Sequence, residues 1–526
     1  DARRCLERAH AQRVAQLEAL REAAERDPSQ TAAALAGLAS ATACDEAASW
    51  SDAFAQALAR AQALRVAGDL VRALDEQAHA DAVLGEASAP RERAALAGER
   101  ARVLGELGDA GRIDAAIAWF VAAERAADAD AAARAAAMTT SWVLEQHADL
   151  DLARTWLARA HSSSQRAGAT PQLRAHVAIA EAALAWRERR ADDATGAARN
   201  AVTLARSAGD VELEALAASH LGVTLARQGR IAESITVFEA QRAALESRVG
   251  PTHPRMVAVL LNLGASLTTA GRHDEALSSF ARARDLIEQR RGPDAPELAR
   301  VEHNLAATEL FRENPQRAAY HAARAVALSE GGNVPLHIGA LHHLGMALVA
   351  TDRAAEAEAI AWRGAAIVDQ SYGAEHRFAA DFLELAGDAA IARGDTQRGA
   401  ALHQRAFALA QVLQPDPMRL AALGTKVAVD RIAAGDDDGG DALLAAWLGR
   451  LEAGNPRLAR AALRALAEAW LTRGQPCAAA IYADRIVGGA DPASAISLRA
   501  RAHERCGVAP AYARALQQRA SEPSGR

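Results

Sequence analysis

Apolar residues recur along this chain at helical spacing, in stretches that come in pairs. Residues 219–229 read SHLGVTLARQG, 261–271 read LNLGASLTTAG and 303–313 read HNLAATELFRE. Leu221, Leu263 and Leu305 fall 42 residues apart, and Gly222, Gly264 and Ala306 follow them. Gly229 and Gly271 close the first stretch of each pair. A second stretch then carries Ser234, Ala276 and Ala318, followed by Phe238, Phe280 and Ala322. The links repeat too, Gly250-Pro251 to Pro254 in one unit and Gly292-Pro293 to Pro296 in the next. Apolar periodicity of this length, stopped by glycine, predicts two helices per unit. The small residue after the leucine lets the two helices approach closely. Ala276 meets the facing helix, and Phe280 fills the gap that remains. One such pair cannot bury its apolar face alone, whereas a stack can.

The register extends outward from this centre. Ala61, Leu64, Gly68 and Ala73 mark one unit, and Leu104, Leu107, Gly111, Ala116 and Phe120 a second. Two degenerate units run from Trp142 to Ala160 and from Leu184 to Leu204. After the three strong repeats come Leu344-Gly345 with Ala357, Gly387 with Gly394, Val427-Ala428 with Gly435, and Leu466-Ala467 with Gly474. The pattern predicts about eleven helical hairpins and a last helix near 494–520. In residues 1–50, Leu6, Val14, Leu17 and Leu20 predict one helix, Asp27-Pro28-Ser29 breaks it, and an Ala-rich helix follows. Three regions result: an N-terminal helical cap over 1–50, a solenoid over 51–520, and a polar tail over 521–526 expected to be disordered.

The central pattern resembles the tetratricopeptide repeat (TPR), in the 42-residue form known from kinesin light chains. That resemblance implies an all-α fold, a right-handed superhelix or α-solenoid of stacked hairpins. A second resemblance covers about 45 residues, through Cys5-Leu6-Glu7-Arg8, Leu17, Leu20 and Cys44-Asp45. It is similar to the segment before the TPRs of membrane-bound, myxobacterial-type serine/threonine kinases. It implies that the chain is the extracytoplasmic part of a bacterial signalling protein, with the kinase domain upstream. The start at Asp1, partway into a helical pattern, agrees with a fragment of a longer protein. The alternative is a cytosolic TPR sensor domain of a transcriptional regulator or ATPase-type signalling protein.

Composition narrows this further. The chain has 526 residues, 50% of them hydrophobic but only 4% aromatic, so Ala and Leu must supply a thin core. A net charge of -6 argues against a nucleic-acid partner, which needs a concentrated basic face. No apolar stretch reaches the roughly 18–20 residues that span a bilayer, so no membrane contact is expected within this chain. No catalytic motif is found: no phosphate loop, no H-E-x-x-H, no G-x-S-x-G and no kinase signature. Hence no enzyme activity, cofactor or metal is expected of these residues. The loop 434–441 holds four aspartates but lacks calcium-loop spacing, and is expected to be an exposed acidic turn.

Four cysteines remain. Cys5 and Cys44 lie near the open ends of the cap's two helices, and Cys477 and Cys506 near one another in the last repeats. Two terminal disulfides would fit an oxidising compartment. Four buried free thiols would fit a cytosolic one.

The candidate binding surface follows from repeat geometry. In a TPR the first helix of each unit lines the concave face, and the residue before the signature leucine points into it. Those residues here are His220, Asn262, Asn304 and His343. Asn is a mediocre helix former, so its recurrence at one register position asks for a reason. Its amide can both donate to and accept from a peptide backbone. The resemblance assigns that role to Asn262 and Asn304; His220, His343, His303 and Arg227 would add polar contacts. The expected partner is a protein or an extended peptide. The competing reading is that each Asn caps or bridges neighbouring helices. Lys426 is the only lysine, so the carboxylate clamp of chaperone-binding TPRs is not expected.

Overall fold

The left-handed turn is what makes each hairpin. Gly229 (φ 75°) and Gly271 (φ 77°) hold positive φ directly after the first helix of their units. At the matching turns Arg189 (φ 62°), Glu313 (φ 60°) and Asp352 (φ 58°) do the same, at roughly 1–2 kcal/mol each for a residue with a Cβ. The computed structural model describes residues 11, 13–22, 51–66, 69–84, 90–109, 111–146, 149–253, 255–413, 417–486 and 493–507. Cys5, Cys44, most of the expected cap and the expected tail lie outside the described residues. Every described element between 51 and 507 is an α-helix.

The chain divides into two compact units, Asp1–Arg312 and Glu313–Arg526. The first contains α1 (Asp52–Val66), α2 (Leu70–Leu84), α3 (Pro90–Leu107), α4 (Arg112–Arg125), α5 (Ala129–Gln146), α6 (Leu150–Arg166), α7 (Pro171–Arg187), α8 (Ala191–Ser207), α9 (Val211–Arg227), α10 (Ile231–Val249), α11 (Arg255–Thr269), α12 (His273–Arg291) and α13 (Leu298–Phe311). Each helix packs on the next, and the odd-numbered helices also touch one another in succession from α1 to α13. They form one continuous layer of this unit, called its inner layer below.

The second unit contains α14 (Pro315–Ser329), α15 (Val334–Val349), α16 (Ala354–Tyr372), α17 (Arg377–Ala392), α18 (Thr396–Val412), α19 (Pro417–Ala434), α20 (Asp437–Gly454), α21 (Pro456–Thr472), α22 (Pro476–Asp484) and α23 (Ala493–Cys506). Here α15 touches α17, and α19, α21 and α23 touch in turn. Cys477, in the first turn of α22, is disulfide-bonded to Cys506 at the end of α23, with Cα atoms 4.8 Å apart. The stretch 434–441 is not a turn throughout, because α20 begins at Asp437 within it: Asp436 caps that helix by accepting from the Gly439 amide at 3.0 Å, and Asp437 pairs with Arg473.

Packing follows the expected small-to-large scheme, with one refinement. Gly264 does not simply let two backbones meet; it seats the Phe280 ring. A Cβ there would lie 2.5 Å from that ring, and Phe280 is fully buried. Gly222 seats Phe238 in the same way. Buried hydroxyls tie one repeat to the next: Ser234 lies 3.0 Å from Ser266, and Thr268 lies 2.8 Å from Thr308. The core is a string of small clusters rather than one centre, such as Ile113, Ala136, Val143, Trp156 and Leu184.

Among the described residues the glycine link occurs three times, not two. Gly250, Gly292 and Gly373 all hold φ near 90°. After each, the backbone folds back three residues later, at His253, Ala295 and His376. The third copy lacks proline, which hid it from the sequence pattern.

Candidate functional site

Asn262 lies on α11 and Asn304 on α13, two inner helices that touch, and both side chains are half-buried. Each backbone carbonyl is occupied, accepting from Ser266 at 3.0 Å and from Thr308 at 2.8 Å. Among the described residues, nothing hydrogen-bonds either side-chain amide. Neither Asn caps a helix, since each sits mid-helix. Donor and acceptor on both amides are therefore unspent among the described residues.

His220 precedes them in the row, on α9. Burial, and then the nearby Arg227 charge, push its pKa down to about 4, so it is neutral at physiological pH. Arg227 ends α9 and lies over the Trp186 ring at 5.8 Å. His303 shares α13 with Asn304 but is engaged within the fold. His343 belongs to the second unit. Its ring lies 6.3 Å from His342, which in turn meets Phe382 edge-on at 6.0 Å. The structure thus brings His220, Asn262, Asn304, His303 and Arg227 onto one layer of the first unit, and places His343 on α15 of the second.

The second unit holds a charged network that sequence reasoning missed. Lys426 on α19 donates to Glu384 at 2.6 Å and to Asp388 at 2.8 Å, both on α17. Arg419 reaches Asp381 at 2.6 Å and Glu384 at 2.5 Å. His403 on α18, fully buried, donates to Asp430 at 2.7 Å and lies 3.3 Å from Asp388. Burial works against the Lys426 charge, but Asp388 and Glu384 overcome it and raise its pKa. Burial likewise opposes the His403 charge, yet its bonds to Asp388 and Asp430 lift the imidazole to about 9. Burial would raise Glu384; Lys426 and Arg419 hold it well below the usual carboxylate range instead. All these charges satisfy one another, so the network joins α17, α18 and α19 rather than offering a site.

A signal for it existed in the sequence. His403 stands as far after Gly387 as Phe280 stands after Gly264, and Gly387 seats the imidazole as Gly264 seats the phenyl ring. A histidine in a phenylalanine's place marks a repeat whose core is ionic.

Comparison with known proteins bears on the family. The tetratricopeptide repeat family model matches residues 255–331. A putative kinesin light chain from Podosopora anserina with nearly identical TPR-like repeats is 19% identical. That match covers 38% of this chain and 96% of that one, with a TM-score of 0.33. BtubC from P. vanneervenii is 19% identical over 43% of this chain and 93% of its own, at 0.38. A Rap protein complexed with competence and sporulation factor is 14% identical over 71% and 99%, at 0.49. No curated protein matches the chain in sequence. With the matched segment spanning α11 to α14 and the same glycine-aromatic packing on either side of it, this chain carries a tetratricopeptide-repeat region.

Proposed function

We propose that this chain is a protein- and peptide-binding scaffold that grips an extended segment of its partner along the inner helices of the first unit. The observation that carries this is the pair of open amides, Asn262 and Asn304, in one register position on touching helices. A residue needed only for structure would be expected to bridge or cap, and these do neither. The amides hold backbone, which every peptide has, so they supply grip without reading sequence.

The test uses peptides selected from a random 12-residue library on the whole chain. The Asn262→Ala, Asn304→Ala double variant should bind them about tenfold or more weakly, as two lost neutral hydrogen bonds of about 1 kcal/mol each imply. Its helicity and Tm should be unchanged. Equal binding by the variant, or a matching loss of Tm, would return the asparagines to a structural role.

The setting we propose is the sensory or interaction region of a bacterial signalling protein, outside the cytoplasm, with a serine/threonine kinase domain upstream. The resemblance over the first 45 residues supports it, and so does the Cys477–Cys506 bond, since such bonds persist in oxidising compartments. The competing cytosolic sensor would keep its thiols reduced. Alkylation of the unreduced protein in denaturant, read by mass, separates the two. Zero free thiols is expected, with Cys5 joined to Cys44. Four free thiols in protein made under oxidising conditions would remove the compartment argument.

A further inference from the structure

The inner layer of the first unit holds two neighbouring cations that the fold leaves without a direct ion-pair partner. α7 ends at Arg187 and α9 ends at Arg227, and the two helices touch. The guanidinium groups therefore take equivalent places on adjacent inner helices, and both are exposed. The carboxylates around them are committed elsewhere. Glu145 pairs with Arg112 at 3.0 Å, and Glu188 takes both Arg154 and Arg190. Among the described residues, neither Arg187 nor Arg227 has a hydrogen-bond or ion-pair partner. Arg227 rests only on the Trp186 face. Burial first, and then Arg187, depress the Arg227 pKa, and the charge of Glu145 opposes them only in part.

The same layer shows what the filled arrangement looks like. Arg65 on α1 and Arg102 on α3 also come from adjacent inner helices. Between them sits the fully buried carboxylate of Glu99, 2.7 Å from one and 2.9 Å from the other. The fold pairs those arginines by its own means, whereas at Arg187 and Arg227 the bridging carboxylate is the part the chain does not supply. Paired guanidinium groups present donors in the fork geometry that suits a carboxylate, and the Trp186 ring supports the Arg227 guanidinium.

We propose that Arg187 and Arg227 anchor an aspartate or glutamate side chain of the peptide held on this layer, with Trp186 supporting Arg227. This rests on the scaffold reading above and gives it a specificity: a partner segment with an acidic residue at one fixed position.

The peptides selected on the whole chain carry the test. Asp or Glu should be enriched at one position. Those peptides should bind the Arg187→Gln, Arg227→Gln variant at least tenfold more weakly than wild type. Changing the peptide's acid to its amide should weaken binding to wild type but leave binding to the variant nearly unchanged, the sign of direct coupling. A pool weakened by the asparagine substitutions but without acidic preference would overturn this inference and leave the scaffold reading standing. So would acidic peptides that bind the arginine variant as well as wild type. A pool indifferent to both pairs, or no peptide selected at all, would overturn both.

Discussion

Single residues set the tolerances of this fold, and Gly264 shows how narrowly. A Cβ there would stand 2.5 Å from the Phe280 ring, a ring with no exposed surface and therefore nowhere to retreat. Gly264→Ala should cost about 1–3 kcal/mol by overpacking, and Gly264→Leu should disrupt the repeat locally. The reason is the ring rather than helix propensity, which favours Ala over Gly by about 1 kcal/mol. That distinction can be tested. In a Phe280→Ala background the penalty of Gly264→Ala should vanish or reverse, because the clash is gone and only the propensity gain remains. Denaturant melts of the four proteins in that cycle decide it. A Gly264→Ala variant as stable as wild type would mean that the Phe280 ring does not sit on Gly264.

At the level of elements, the sequence was most legible where one position recurs. Leu221, Leu263 and Leu305 reported the first helices, Gly229 and Gly271 the turns, and Phe238 and Phe280 the second helices. The structure confirms each of these, because a stack requires the same contact in every unit. Legibility failed wherever a repeat met the same physical need with another residue. The turns at Arg189 and Asp352 hold the left-handed conformation without glycine, so the glycine rule passed over them. The Gly373 link was missed because it lacks the prolines of its two earlier copies. The site shows the same limit. Repeat register alone placed Asn262 and Asn304 on touching helices. It could not say whether their amides were spent, which depends on neighbours from other helices. Arg187 was invisible for that reason as well: an arginine at a helix end is ordinary until the carboxylates near it prove to be taken. The Lys426 network gathers residues from α17, α18 and α19, and only the shared register of His403 with Phe280 hinted at it.

Across the whole molecule, buried histidines of opposite sign should set the pH range of stability. In the first unit, burial first and then neighbouring arginines hold His176, His220 and His253 down to about 4. Their unfolded pKa is near 6.5. As pH falls below that value the unfolded chain takes up protons that the native state refuses, so stability is lost between about 6.5 and 4. His403 in the second unit behaves in reverse. Its native pKa is about 9, so its contribution is complete below 6.5 and is lost as pH rises through 9. Thermal melts should therefore peak near pH 6.5 and fall on both sides. The acid side is best read above pH 5, before carboxylates held low by cations, such as Glu384 and Glu358, begin to contribute a loss of the same sign. The alkaline side is the cleaner test, because one residue carries it. In His403→Phe, which restores the aromatic found at Phe280, the decline of Tm between pH 7 and 9 should disappear, whatever the variant's absolute stability. If the variant declines as steeply as wild type, the charge on His403 is not what binds α18 to its neighbours, and the network around Lys426 must hold together through Glu384 and Asp388 alone.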